Sequence, residues 1–295
     1  MRYAICDMSY AKIIDGQALA EKIKDQIIKE IIRLNKGQTD CQHRPNLAII
    51  LVGDREDSKL YVGLKEKEAK KVGIDVHTYK CPENIKEEEI ISTIECLNSD
   101  KLIDGILVQL PLPPRFDTNK IIKTINPAKD VDCFHPENLK IILGSCHHRH
   151  ILSPVFSAVL EMLSSINYQL KNKQVCLIAN SDIFGKSLGK ILECQGAKVK
   201  TIKASDKNLG KETSEADILI TAVGKPKFIK KEMVKKEAVI IDIGITKTGK
   251  TIYGDADFSD IKDKVSYITP VPGGVGPLTI AMLFRNTLEL YKNRK

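Results

Sequence analysis

Short apolar runs that stop abruptly at glycine, proline or polar turns constrain this 295-residue chain more than any other feature. Residues 47–52 (LAIILV) end at Gly53-Asp54, and residues 105–110 (GILVQL) run into Pro111-Leu112-Pro113-Pro114. Residues 174–179, 197–202, 218–223 and 238–243 repeat the pattern. Runs of this length, bounded by turn formers, are expected to be strands buried on both faces. Amphipathic stretches at 16–34, 57–72 (stopped by Gly73), 86–97 and 184–195 lie among them and predict helices. A further strand is expected at 76–79. Alternation of this kind predicts an α/β fold with mostly parallel strands.

The length suits two compact domains. A loop at 129–136 leads out of the first, and Pro154 is placed to start a helix running to 166. The four later strands complete a doubly wound, Rossmann-like sheet. The last helix, 278–291, follows a Pro/Gly-rich turn and is expected to return to the first domain. The expected division is therefore 1–152 plus 280–295 for one domain and 153–279 for the other.

Composition removes several classes of function. The net charge of +8 is carried mainly by scattered lysines, and aromatic residues make up 5% of the chain, so a basic, base-stacking nucleic-acid surface is not expected. The longest apolar stretch, 47–52, is far short of the roughly 20 residues that span a bilayer. Residues 1–12 lack the apolar centre of a secretory signal, and the expectation is a cytoplasmic protein without a membrane partner. The cysteines at 6, 41, 81, 96, 133, 146, 176 and 194 form no CxxC pair, and no disulfide framework is expected. The run Cys146-His147-His148-Arg149-His150 reads as a polar surface loop rather than a metal site, whose ligands would be spaced apart.

Three places could carry chemistry. Tyr61 and Lys65 are four apart on a predicted helix and share a face, so a ring and an amine can meet one planar ligand. Gln109 stands at the carboxyl end of a strand, where open α/β sheets gather ligands, and can orient an amine. Asp132, in Lys129-Asp130-Val131-Asp132, is a carboxylate able to accept two hydrogen bonds from an aminopyrimidine-like edge. Taken singly, each also suits an ordinary solvated helix face or turn.

Together they form a pattern. SKLYVGLKEKEAKKVG (58–73), DGILVQLPLP (104–113), KDVDCFHPEN (129–138) and ITPVPGGVGPLTIAML (268–283) occur in order. IIDG (13–16), AVGKP (222–226), IDIGI (241–245) and GD (254–255) accompany them. In these motifs the chain resembles the bifunctional methylenetetrahydrofolate dehydrogenase/cyclohydrolase family along nearly its whole length. The resemblance implies a catalytic Lys65, a Tyr61 that stacks on folate, a Gln109 that supports the lysine and an Asp132 that anchors the pterin. It also brings Val62, Gly63, Leu64, Val108 and Leu110 into the folate site. Pro272, Gly273, Gly274, Val275 and Gly276 would line the same cleft between the domains. The implied chemistry is oxidation of 5,10-methylenetetrahydrofolate to the methenyl form, then hydrolysis to 10-formyltetrahydrofolate. A homodimer and a role in purine biosynthesis are implied as well.

The cofactor side departs from the family pattern. Residues 179–187 (ANSDIFGKS) keep Gly185 but carry Ala179, Asn180 and Ser187 where the family usually has glycine, arginine and proline. Ala179, Asn180, Ser181, Gly185, Lys203 and Ile245 are the expected cofactor contacts. No acid stands at 203–205, where the second strand of this domain ends, and Lys203 favours a 2′-phosphate, so NADP is expected over NAD. With Asn180 and Ala204 replacing the family's arginine and serine, the preference is expected to be modest. Ile151 to Phe156 and Cys133 depart too. An alternative follows from these departures: a cyclohydrolase whose dehydrogenase step is weak or lost.

Overall fold

The computed structural model describes residues 11–36, 44–146, 151–249 and 251–294. In chain order they form β1 (Lys12–Ile13), α1 (Gly16–Asn35), β2 (Asn46–Val52), α2 (Glu56–Val72), β3 (Asp75–Cys81), α3 (Glu87–Ser99) and β4 (Gly105–Val108). Then come α4 (Thr118–Thr124), α5 (Pro136–Gly144), α6 (Pro154–Ser165), β5 (Gln174–Ala179), α7 (Asp182–Cys194), β6 (Lys198–Ile202), α8 (Leu209–Glu215) and β7 (Ile218–Ala222). The rest comprises β8 (Val239–Asp242), β9 (Thr246–Thr248), β10 (Thr251–Tyr253), α9 (Phe258–Ile261), β11 (Tyr267–Ile268) and α10 (Val275–Asn293).

The chain divides into two compact units, Ala20–Ser157 with Thr279–Lys295, and Met1–Leu19 with Ala158–Leu278. The first holds the parallel sheet β3-β2-β4, with the core residues Ile50, Ile90, Ile94 and Ile106 fully buried about it. The second holds the parallel sheet β1-β11-β8-β7-β5-β6 and the hairpin β9-β10. Placing the N-terminus in the first domain, as the range 1–152 had it, is corrected for its described residues. Lys12 and Ile13 pair with Tyr267 and Ile268, and that backbone ladder draws the segment into the six-stranded unit.

Several boundaries differ for local reasons. β4 stops at Val108, just short of Pro111, which has no N–H to give a ladder. α7 begins at Asp182 because the Ser181 hydroxyl accepts from the Phe184 N–H and caps the helix. α10 begins at Val275, since Pro277 falls in the first turn, where an N–H would have no partner anyway. The short helices α4, α5 and α8 carry too few residues for a clear period.

Each sheet has a point where the chain reverses its direction of winding. In the three-stranded unit β2 lies between β3 and β4, so the crevice opens beyond Val52 and Val108. In the six-stranded unit β5 lies between β6 and β7, and the crevice opens beyond Ala179 and Ala222. Ligands of open α/β sheets bind at such places. Tyr61, Lys65, Gln109 and Asp132 belong to the first unit, and Asn180, Ser181 and Lys203 to the second.

Candidate active site

α2 presents Tyr61 and Lys65 from a well-formed helix. Glu56 and Asp57 occupy its first turn and Lys70 and Lys71 its last, matching the helix dipole. Gly73, left-handed at φ 79°, ends it by donating its N–H to Ala69 O. Buried Ser58, Val62, Ala69 and Val72 hold the helix on the core. On its flank, Lys24 of α1 donates to Glu68 at 2.5 Å and to Glu21 at 2.6 Å.

Lys65 Nζ donates to Gln109 Oε1 at 2.8 Å, and Gln109 Nε2 donates to Leu110 O at 2.7 Å. The second bond fixes the amide, so its carbonyl oxygen faces the amine. Lys65 and Asp132 each keep some accessible surface but are crowded by protein. Loss of water is the dominant effect on Lys65 and lowers its pKa, with the Asp132 charge pulling the other way. Burial likewise pushes Asp132 up to about 6, with Lys65 opposing and Asp130 adding to the rise. The result is an amine nearer to neutrality and a carboxylate nearer to protonation than either would be in water, the condition for moving protons near neutral pH.

The loop bearing Asp132 is fixed through its backbone. Ile106 N donates to Lys129 O at 2.7 Å, and Lys129 Nζ donates to Leu97 O and Asp100 O at 2.9 and 2.6 Å. Buried Asp130 accepts from His135 N at 2.7 Å and Asn138 Nδ2 at 3.0 Å. Asn286 Nδ2 donates to Val131 O at 2.9 Å and Leu152 O at 2.8 Å. Cys133 has φ 57°, a left-handed backbone that favours glycine, and its thiol donates to Ile151 O at 3.3 Å. Asp130 and Asn286 hold the loop bearing Asp132, and the sequence reading did not single them out. Asp130 lay inside a quoted motif, whereas nothing local marks Asn286.

The other expected substrate contacts are varied in setting. Tyr61 is half-buried, and burial followed by the Asp57 charge raises its pKa. Val62 and Val108 are core side chains, while Gly63 and Leu64 are exposed and Leu110 packs on the edge of the core. Pro272 to Gly276 belong to the six-stranded unit. Gly273 has φ 102°, and a methyl on Gly274 would overlap Pro270 O, so the loop itself demands these glycines.

At the switch point of the six-stranded unit, Asn180 Nδ2 donates to Val223 O at 2.9 Å and ties the two lips together. A methyl on Gly185 would stand 2.6 Å from Thr201 Cγ2, so glycine permits the close helix–sheet approach that dinucleotide sites use. Lys203 lies beside the first turn of α7, as a phosphate contact should, but its Nζ pairs with Asp182 Oδ1 at 3.2 Å. Ile245 is 40% exposed near Gly276. Ala204 is half-buried against the core, and the buried Ser187 hydroxyl has no hydrogen-bond partner. A helix N-terminus at a switch point, a glycine-spaced crossing and a nearby cation together fit a dinucleotide phosphate.

The cysteine expectation needs correction, because Cys146 and Cys194 are both disulfide-bonded. Residues 147–150 of the Cys/His run lie outside the described residues.

Comparison with known proteins covers nearly the whole chain. Residues 14–132 match the model of the tetrahydrofolate dehydrogenase/cyclohydrolase catalytic domain, and residues 154–295 that of its NAD(P)-binding domain. The chain is 44% identical over 284 residues to the bifunctional protein FolD of Nitratiruptor, covering 96% of this chain and 99% of that one. Among solved structures, the bifunctional FolD of Campylobacter jejuni is similar with a TM-score of 0.91 and 37% identity, covering 97% of this chain and all of that one. The Trypanosoma brucei methylenetetrahydrofolate dehydrogenase-cyclohydrolase, solved with NADP and an inhibitor, matches with a TM-score of 0.91, 32% identity and coverage of 97% and 98%.

Proposed function

The chain belongs to the tetrahydrofolate dehydrogenase/cyclohydrolase family, and from that premise we propose how its residues divide the work. It is a bifunctional enzyme that oxidises 5,10-methylenetetrahydrofolate to 5,10-methenyltetrahydrofolate with NADP and hydrolyses the product to 10-formyltetrahydrofolate. NADP supplies the hydride acceptor. The Lys65–Gln109 hydrogen bond, set against an Asp132 held near pKa 6, carries the assignment of roles.

Asp132 accepts hydrogen bonds from the aminopyrimidine edge of the pterin, and Tyr61 stacks on its ring. The reacting carbon then lies within reach of Lys65. In the hydrolytic step water adds to the methenyl carbon, and the proton it loses moves to the neutral Lys65 amine. The resulting ammonium returns a proton to the ring nitrogen as the C–N bond opens, the carbinol O–H proton passes to solvent as the formyl C=O forms, and Gln109 Oε1 keeps the amine aimed throughout. Hydride transfer itself asks no proton of Lys65, so in that step the lysine acts by position and charge.

Asn180, Ser181, Gly185, Lys203 and Ile245, with Ala179 at the strand end, are proposed to hold NADP. Similarity to the NADP-bound Trypanosoma brucei enzyme and the lack of an acid at residues 203–205, directly after β6, support this reading. The cyclohydrolase-only alternative rests on substitutions at Asn180, Ser187 and Ala204, and the whole-length match to dehydrogenase/cyclohydrolases gives it no support. Homodimer formation, a cytoplasmic location and supply of formyl groups to purine biosynthesis are proposed from the family likeness; among the described residues no helix is long and apolar enough to cross a membrane. Absorbance of the methenyl product, followed with NADP and with NAD separately, tests the reading. Product formation favouring NADP is expected. Failure to form it with either nucleotide, while added methenyl substrate is still hydrolysed, would restore the alternative.

A further inference from the structure

Three of the sequence motifs, AVGKP, IDIGI and GD, hold no group assigned above except Ile245. The structure joins them through two buried carboxylates. Asp255 and Asp242 have 0% and 2% of their surfaces exposed. Asp255 Oδ2 accepts from Thr221 Oγ1 at 2.8 Å and Val223 N at 2.7 Å, and its Oδ1 accepts from Lys225 N at 2.8 Å. Asp242 Oδ1 accepts from Gly244 N at 2.9 Å and Asp255 N at 3.1 Å, and its Oδ2 accepts from Ala256 N at 2.8 Å. Methyl groups on Gly244 and Gly254 would overlap the Asp255 and Asp242 carboxylates respectively. Gly244 and Gly254 thus admit the two acids.

The clasp sits where the cofactor is proposed to bind, beyond the carboxyl ends of β7 and β8. Val223 is pinned on both sides, its N–H by Asp255 and its carbonyl by Asn180 across the switch point. Gly244 N, one residue before Ile245, is held by Asp242. The acids therefore fix both edges of the rim without offering a side chain to the ligand. We propose that Asp255, seated by Asp242, is a positioning residue that shapes the NADP-facing rim and so serves hydride transfer but not hydrolysis. This rests on the NADP assignment made above.

Asp255→Asn in the full chain tests it, because an amide must turn its NH2 toward one of three donors. The dehydrogenase should show a KM for NADP raised about tenfold or more, while methenyl hydrolysis without nucleotide stays within about twofold of the unaltered chain. A folded variant that loses both activities in parallel, or keeps its NADP kinetics, would overturn the proposal. If Asp255→Asn does not fold, Thr221→Val removes one donor with little change in shape. A roughly threefold rise in the KM for NADP with unchanged hydrolysis is then expected, and an unchanged KM would count against the clasp. Failure of the functional reading would show in the unaltered chain, whereas failure of this inference shows in the variants alone.

Discussion

The two switch points use one topology in opposite ways. In the three-stranded unit the crevice holds an amine and a carboxylate crowded by protein, and loss of water moves both away from their ordinary pKa values. In the six-stranded unit a neutral amide, Asn180, bridges the two strand ends, and the charged pair, Lys203 and Asp182, lies at the surface. A group that must exchange protons gets its reactivity from burial, so its identity and surroundings are tightly bound together. A group that steadies a phosphate beside a helix N-terminus shares the task with backbone N–H groups, so its side chain can change at modest cost. The exposed Asn180 and the half-buried Ala204 stand in the second setting, whereas Lys65, Gln109 and Asp132 stand in the first.

The contrast breaks most readily at Lys65. Lys65→Met keeps a similar stem without the amine, and methenyl hydrolysis should fall at least about a hundredfold with the melting temperature little changed. Near-normal hydrolysis in a folded variant would mean that the buried site owes nothing to its amine. Asp132→Ala should raise the KM for folate in both reactions by about ten- to a hundredfold, the size of a lost charge-assisted hydrogen bond; unchanged affinity would make Asp132 a loop residue.

A third measurement asks whether Asp132 is held at the expense of stability. Its pKa is raised from 3.8 unfolded to about 6 folded, so the folded state favours the protonated form. The stabilising contribution is present below about pH 4 and is lost as pH rises through 6. Asp132→Asn should therefore stabilise the ligand-free protein by about 1–2 kcal/mol at pH 7 and by much less at pH 4, as read by denaturant titration. Equal effects at the two pH values would show that burial does not strain this carboxylate. The smallest effect belongs to the exposed pair. Lys203→Ala should raise the KM for NADP about threefold and leave NAD and hydrolysis unmoved, and Asp182→Ser should lower the KM for NADP by a similar factor. Equal responses from the two nucleotides would remove Lys203 from phosphate recognition.

What could be read in the sequence follows distance along the chain. The helix carrying Tyr61 and Lys65 was visible because its period, its acidic start and Gly73 are all local. The strand leading to Gln109 was visible for the same reason, with its end displaced by the turn into Pro111. The Lys65–Gln109 bond spans 44 residues and was reached through family likeness rather than spacing. The pairing of Lys203 with Asp182 joins two elements and leaves no local mark in the sequence. Asn286 and the Asp242–Asp255 clasp escaped notice because their meaning lies in backbone groups that only the assembled fold brings near. Two-residue β1 was too short to show a pattern, and with it went the correct placing of the N-terminal segment.

The Asn286 amide has a consequence for the order in which the enzyme comes into being. The carbonyl it holds on Val131 lies 155 residues upstream, next to Asp132. Every side chain assigned to the hydrolytic step has left the ribosome well before that amide is made. A nascent chain can thus complete the β3-β2-β4 sheet while the loop bearing Asp132 still lacks its last restraint. Chemistry encoded early waits on a residue made 155 positions later, and a chain that stopped short of it would carry the catalytic groups without the bond that Asn286 gives Val131 O.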